Sequence, residues 1–134
     1  MSLLKSSNMI KYSFLLLNFF GLFGLQIFFQ DGIVIEDNTP STLEAGSSET
    51  VVVTINKGDI SGFAKLELVL PAGLSATVVE TKGASFTFSG QKAKFIWMTL
   101  PSDQQFSVSY NLSASDEAEG DLVIAGTFSY IREN

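Results

Sequence analysis

The sequence has neither cysteine nor histidine. Their absence excludes a Ser-His-Asp or Cys-His nucleophile, a thiolate or imidazole metal site, and the two-histidine helix of a zinc protease. It also excludes a disulfide staple, so any folded domain here is held by core packing. Carboxylate, lysine, tyrosine and hydroxyl chemistry remain. Proline is scarce, at three residues, and there is a single tryptophan.

Charge is missing from one region and lopsided in the rest. The first 30 residues carry only Lys5 and Lys11, and from Tyr12 to Gln30 there is no charged residue. From Asp31 onward, all 14 acidic residues face six basic ones, a net of −8. Phosphate binding needs clustered lysine and arginine, so this balance argues against a nucleic-acid partner.

The uncharged stretch "SFLLLNFFGLFGLQIFF" is nearly continuously apolar. It is longer than the core of a typical signal peptide and close to the length of a spanning helix, and no Ala-x-Ala-like cleavage site follows it. Two readings stay open for residues 1–30: a signal peptide, or an N-terminal membrane anchor holding the chain through a hydrophobic helix over 12–30. With lysines before the segment and acids after it, both place residues 31–134 outside the inner membrane, in the periplasm, at the cell surface or secreted.

Of the 134 residues, 46% are hydrophobic, enough for one globular core. Residues 31–49 read as a tether, with Ile33 to Ile35 as a candidate edge strand. Residues 50–134 read as the domain. There, β-rich runs at Thr50 to Asn56, Gly62 to Leu70, Leu74 to Thr81, Ser85 to Phe88, Lys92 to Leu100, Gln105 to Ser113 and Leu122 to Ile131 are separated by turn signals such as "KGD", "PAG", "SGQ" and "PSD". The spacing predicts an all-β antiparallel sandwich of about seven strands. Phe106, Val108, Tyr110 and Leu112 alternate with Ser107, Ser109, Asn111 and Ser113, giving that strand one dry and one wet face. Ala64, Leu66, Leu68 and Leu70 mark another core face, ended by "PAG".

Over about residues 50–131 the parts follow a recognisable order. A strand precedes a short polar turn, a strand ends in Leu-Pro-Ala-Gly, a glycine-containing middle leads to the strand with Trp97, and a proline turn precedes two closing strands. This order resembles the Ig-like and cohesin-like β-sandwich modules of bacterial surface proteins. The resemblance implies a sandwich fold and an extracytoplasmic location, with a role in binding a protein partner or in assembly. No cohesin binding residue carries over position by position.

Four stretches are candidate sites. "KFIWMTL" sets Phe95 and Trp97 on one face of a strand and Ile96, Met98 and Leu100 on the other. A strand dry on both faces needs something beyond the sandwich to cover it, so Lys94, Ile96, Trp97 and Met98 are the candidate binding residues for an envelope protein, with the acidic loop steering a basic partner. The alternative partner is carbohydrate, stacked on an exposed platform of Trp97, Tyr110 or Tyr130. "DEAEGD" gathers Asp116, Glu117, Glu119 and Asp121 beside Gly120. Its plain reading is a solvated acidic loop, and its sharper one a weak calcium site; no other cofactor is expected. "SGQK", Ser89 to Lys92, matches Ser-x-x-Lys spacing, but Gly90 between strands makes it a hairpin turn, and "SLLK" at Ser2 to Lys5 fits equally well. Asn111 opens an Asn-Leu-Ser acceptor that matters only in a eukaryotic secretory pathway. Glu67, Glu80 and Asp103 are the acids a small hydrolase would use, though a compact sandwich leaves little chain to build a cleft. The chain is therefore expected not to be an enzyme.

Overall fold

The computed structural model describes residues 2–5, 26–30 and 32–131. Most of the expected N-terminal helix lies outside these residues. Every regular element among the described residues is a strand, and none of them forms a helix long and apolar enough to cross a membrane.

Two antiparallel sheets face each other. The front sheet has the order β11-β5-β8-β7, from Ala125–Tyr130, Ala64–Val69, Lys92–Trp97 and Ser85–Ser89. The back sheet has the order β3-β4-β9-β6, from Ile33–Asp37, Ser48–Asn56, Gln105–Ala114 and Leu74–Glu80, with β2 (Gln26–Gln30) paired along the outer side of β3. A short parallel pair joins β1 (Ser2–Lys5) to β10 (Asp121–Val123). The order follows from the turns. Only β7 and β8 in the front sheet, and the β2-β3-β4 run in the back, are sequence neighbours that pair; β4 to β5, β5 to β6, β6 to β7 and β8 to β9 each cross between sheets.

Alternation decides which side chains enter the core. Val51, Val53 and Ile55 of β4 and Phe106, Val108, Tyr110 and Leu112 of β9 point inward from the back sheet, against Ala64, Leu66 and Leu68 of β5 and Ala93, Phe95 and Trp97 of β8. The segment read as a tether adds Ile33 and Ile35 to the same core. Trp97 joins the layers: its ring lies 5.5 Å from Phe106 across the sandwich and 6.5 Å from Phe128 in its own sheet. Its indole N–H donates to the Lys82 carbonyl at 3.1 Å, so this buried ring leaves no polar atom unpaired.

"SGQK" is the hairpin turn between β7 and β8. Gly90 and Gln91 both take positive φ, 59° and 64°, as a two-residue type I′ turn requires. Glutamine is an uncommon residue there, and its bonds show what holds it. Its Nε2 donates to the carbonyls of Pro71 and Leu74, each at 2.9 Å, and to that of Leu70 at 3.3 Å, while its own carbonyl accepts from Leu70 N at 2.8 Å. One side chain thus ties the front-sheet hairpin to the "PAG" turn that leads into the back sheet. Replacing Gln91 by alanine is expected to cost about 1–3 kcal/mol, because carbonyls lose their donor while the left-handed backbone stays strained. Gln91→Gly relieves the strain and should be the more stable of the two. Urea midpoints in the order wild type, Gln91→Gly, Gln91→Ala test this.

Candidate functional site

The outer face of the front sheet carries the most exposed apolar side chains. Ala64 pairs with Trp97 and with Tyr130, all three pointing inward. One residue beyond the ends of these strands, at the same end of the sheet, Phe63, Met98 and Ile131 are exposed by 38%, 77% and 58%. Ile131 N donates to the Phe63 carbonyl at 3.4 Å, holding two of the three together. Ile96, half-buried, continues the patch and pairs with Lys65. Beyond it Glu67 pairs with Lys94 and Val69 with Lys92, so an otherwise acidic domain presents three lysines and one carboxylate on this face. Lys65 and Glu67 are 3.5 Å apart and partly exposed, an ion pair of little energetic weight.

The other sheet face has a different character. Ser48, Thr50, Thr54, Ser107, Asn111 and Ser113 lie on the outside of β4 and β9 and bond across the strands: Ser48 with Ser113 at 2.8 Å, Thr50 to Asn111 at 2.7 Å, Thr54 with Ser107 at 2.9 Å. These three bonds link the two strands on their outer side. Asn111, the glycosylation candidate, is a half-buried member of this network.

The structure separates the candidate residues. Lys94, Ile96 and Met98 share the front face, but Trp97 is fully buried and cannot meet a partner. Leu100 was expected beside Ile96 and Met98; β8 ends at Trp97, the chain bends, and Leu100 turns into the core with its N–H on the Gly62 carbonyl at 2.8 Å. Tyr110 and Tyr130 are buried as well, so none of the three aromatics forms the flat platform that stacking on sugar rings requires.

The four carboxylates of the acidic loop face solvent. Among the described residues no three carboxylates converge as a cation would need. Asp116, Glu117, Glu119 and Asp121 are all exposed, while Ala118 between them is the residue that turns inward, because the loop docks on the "PAG" turn through Ser115 N on the Gly73 carbonyl at 2.8 Å. This acidic loop sits at the end of the sandwich where β8 begins, opposite the Met98 end, and is no part of the apolar patch. The three acids of the hydrolase reading are scattered too. Glu67 lies on the front sheet, Glu80 ends β6 in the back sheet and accepts from Lys82 N at 3.0 Å, and Asp103 is in an exposed loop.

Sequence reasoning missed the polar groups inside the sandwich. A cavity of about 20 Å³, room for roughly one water molecule, lies between the sheets and is lined by Asp37, Thr39, Tyr110, Leu66, Ile124 and Phe128 among others. Thr39 N donates to Asp37 Oδ1 at 3.0 Å, an Asx-type turn that stops β3. Burial pushes the Asp37 carboxyl above the usual carboxylate range, against the opposing effect of hydrogen bonds from Thr39. Burial, and next the neighbouring Asp37, push the Tyr110 phenol upward as well. The "DNT" of residues 37–39 is a signal that could have found the turn, but not its meeting with Tyr110. A second buried polar group, Lys57, closes its own loop by donating to the Ile60 carbonyl at 2.8 Å.

The chain matches no protein-family model and no curated protein.

Proposed function

We propose that the chain is a non-enzymatic, exported envelope or surface module, of Ig-like or cohesin-like kind, that binds another protein through the outer face of its front sheet. One observation carries the binding half of this reading: Phe63, Met98 and Ile131 are exposed at one end of a face whose charged neighbours are chiefly lysines. An apolar cluster rimmed by charge is how a protein-binding patch differs from scattered surface hydrophobics. The partner that fits is apolar at its centre and acidic at its rim, which reverses the sign expected when the acidic loop was taken as the steering element. Export rests on the uncharged apolar stretch between Lys11 and Asp31, with the acid-rich domain after it. Absence of histidine and cysteine supports the non-enzymatic reading.

The double substitution Ile96→Ser and Met98→Ser tests the face. Met98 is largely outside the core and Ile96 only half within it, so stability should fall by no more than about 1–2 kcal/mol. A photoreactive residue at position 98 should crosslink one envelope protein, and one at Thr77 on the back sheet should not; with the photoreactive residue moved to Lys94, the double substitution should cut capture at least about tenfold. Equal labelling from positions 98 and 77 would remove the front face from the reading.

A further inference from the structure

At the flank of the sandwich the front sheet ends on β7, whose neighbour among the described residues is β8 alone. Edge strands are ordinarily guarded by charge, proline or a bulge. The adjacent back-sheet edge, β6, has such a guard: its pairing with β9 slips between Val78 and Glu80, and it ends on that carboxylate. β7 has none. It reads Ser85-Phe86-Thr87-Phe88-Ser89, uncharged, without proline and in unbroken register with β8.

Those five residues read the same in both directions. Two copies meeting edge to edge about a two-fold axis run antiparallel, and each residue then faces its mirror position, as an isologous interface demands. Centred on Thr87, the pairing sets Thr87 against Thr87, Phe86 against Phe88 and Ser85 against Ser89.

The hydrogen-bond phase fits the same centre. The two-residue turn at Gly90 and Gln91 makes Ser89 and Lys92 a hydrogen-bonded pair, and bonded and non-bonded pairs alternate along the ladder. Ser85, Thr87 and Ser89 therefore spend their backbone groups on β8, and Phe86 and Phe88 aim theirs outward. In the two-fold arrangement, Phe86 and Phe88 of each copy exchange N–H and C=O with Phe88 and Phe86 of the other, and Thr87 falls on the axis as the non-bonded pair. A register shifted by one residue would place mismatched phases together.

Side chains agree with the backbone. Phe86 and Phe88 point toward the core but stay half-exposed because, among the described residues, no strand lies beyond β7 to cover them, although Phe86 packs edge-on against Phe95 at 4.9 Å. Val78 and Val79 on the neighbouring edge are 42% and 54% exposed. A second copy's strand would cover the phenylalanines and extend the front sheet across the axis. β7 itself carries no charge, so the strand edge that would meet its copy holds no carboxylate; the nearest acid along the chain before it is Glu80, at the end of β6. We propose that the chain forms a two-fold dimer through β7, centred on Thr87, an interface separate from the front-face patch.

The test uses the full chain in mild detergent. A lone thiol in a chain without cysteine reads the register, since a Thr87→Cys pair on the axis would have Cα atoms about 4.5 Å apart, within disulfide range of about 4.4–6.8 Å. Thr87→Cys should crosslink to dimer on mild oxidation much faster than Ser89→Cys, whose mirror position holds Ser85. Thr87→Lys places two ammonium groups on the axis and should weaken the dimer at least about tenfold by sedimentation, with circular dichroism and Trp97 emission unchanged. Equal association of wild type and Thr87→Lys, or equal crosslinking of the two cysteine variants, overturns the proposal.

Discussion

Replacing Trp97 by alanine is expected to cost about 3–5 kcal/mol, which is a large part of the roughly 5–15 kcal/mol that holds a typical domain together. The ring is fully buried and contacts Phe95, Phe106 and Phe128, so truncation leaves a void bounded by rigid aromatic neighbours that have little room to collapse. It also strips the Lys82 carbonyl of its donor. That carbonyl belongs to the turn between β6 and β7, where Lys82 and Gly83 both have positive φ, so the loss spreads to the connection between sheets. Trp97→Phe separates the two contributions: it keeps an aromatic ring in the layer and removes the N–H, at an expected cost of about 1–2 kcal/mol from the lost bond, plus a smaller packing loss. Urea denaturation followed by circular dichroism measures both, since the only tryptophan is the residue removed. A Trp97→Ala protein as stable as wild type would show that the aromatic layer is not the join between the sheets.

The strands were legible because alternation is a local property. Phe106 to Leu112 alternates with hydroxyl and amide residues over a full strand, and its apolar members all enter the core, while among the hydroxyl and amide residues Ser109 alone is buried against the pattern. Leu100 misled because its parity matches Ile96 and Met98 while the strand stops at Trp97, and parity says nothing after the chain bends. The closing run from Leu122 to Ile131 divides at Ile124 into β10 and β11 for a related reason: apolar continuity does not reveal where a strand changes sheets. The acidic loop was ambiguous for a different reason. Six residues close in sequence allowed both a solvated loop and a cation site; docking of the loop through Ser115 and Ala118 leaves its four carboxylates facing solvent. Gln91 and Asp37 were invisible as structural anchors because each depends on two segments meeting across the sandwich, and a single sequence holds no record of which turns touch.

The two outer faces and the flank follow from one constraint. A sandwich hides its inner alternation, so whatever distinguishes this protein must be written in the outward positions and at the edges. On the back face, hydroxyl and amide groups bond to one another across β4 and β9, giving that surface a polar character unlike the front face. On the front face the apolar cluster at Phe63, Met98 and Ile131 is uncovered, and at the flank β7 has unused backbone groups. The proposed binding and the proposed self-association would use different surfaces and would not compete.

Asp37→Asn is expected to stabilise the domain at neutral pH. Its carboxyl is held above the ordinary range chiefly by burial, and the nearest groups facing it are Thr39 and the Tyr110 phenol rather than a cation. The folded state therefore keeps a proton that the unfolded chain releases at about pH 4. As pH rises from there through the raised folded-state value, stability falls, and above it the cost of a half-buried carboxylate with no cation beside it, offset in part by its Thr39 hydrogen bonds, is present. Asparagine keeps the acceptor oxygen for Thr39 N and never carries the charge. The substitution should therefore be close to neutral near pH 3 and stabilising by about 1 kcal/mol or more at pH 7, the usual scale for relieving such a group. Because the other carboxylates are common to both proteins, the difference between their denaturation curves across pH isolates this one. A difference that stays flat from pH 3 to 8 would mean that Asp37 titrates as a surface acid and that the space beside Tyr110 is open to solvent; one that widens upward from about pH 4 would establish a protonated carboxyl as part of the folded core.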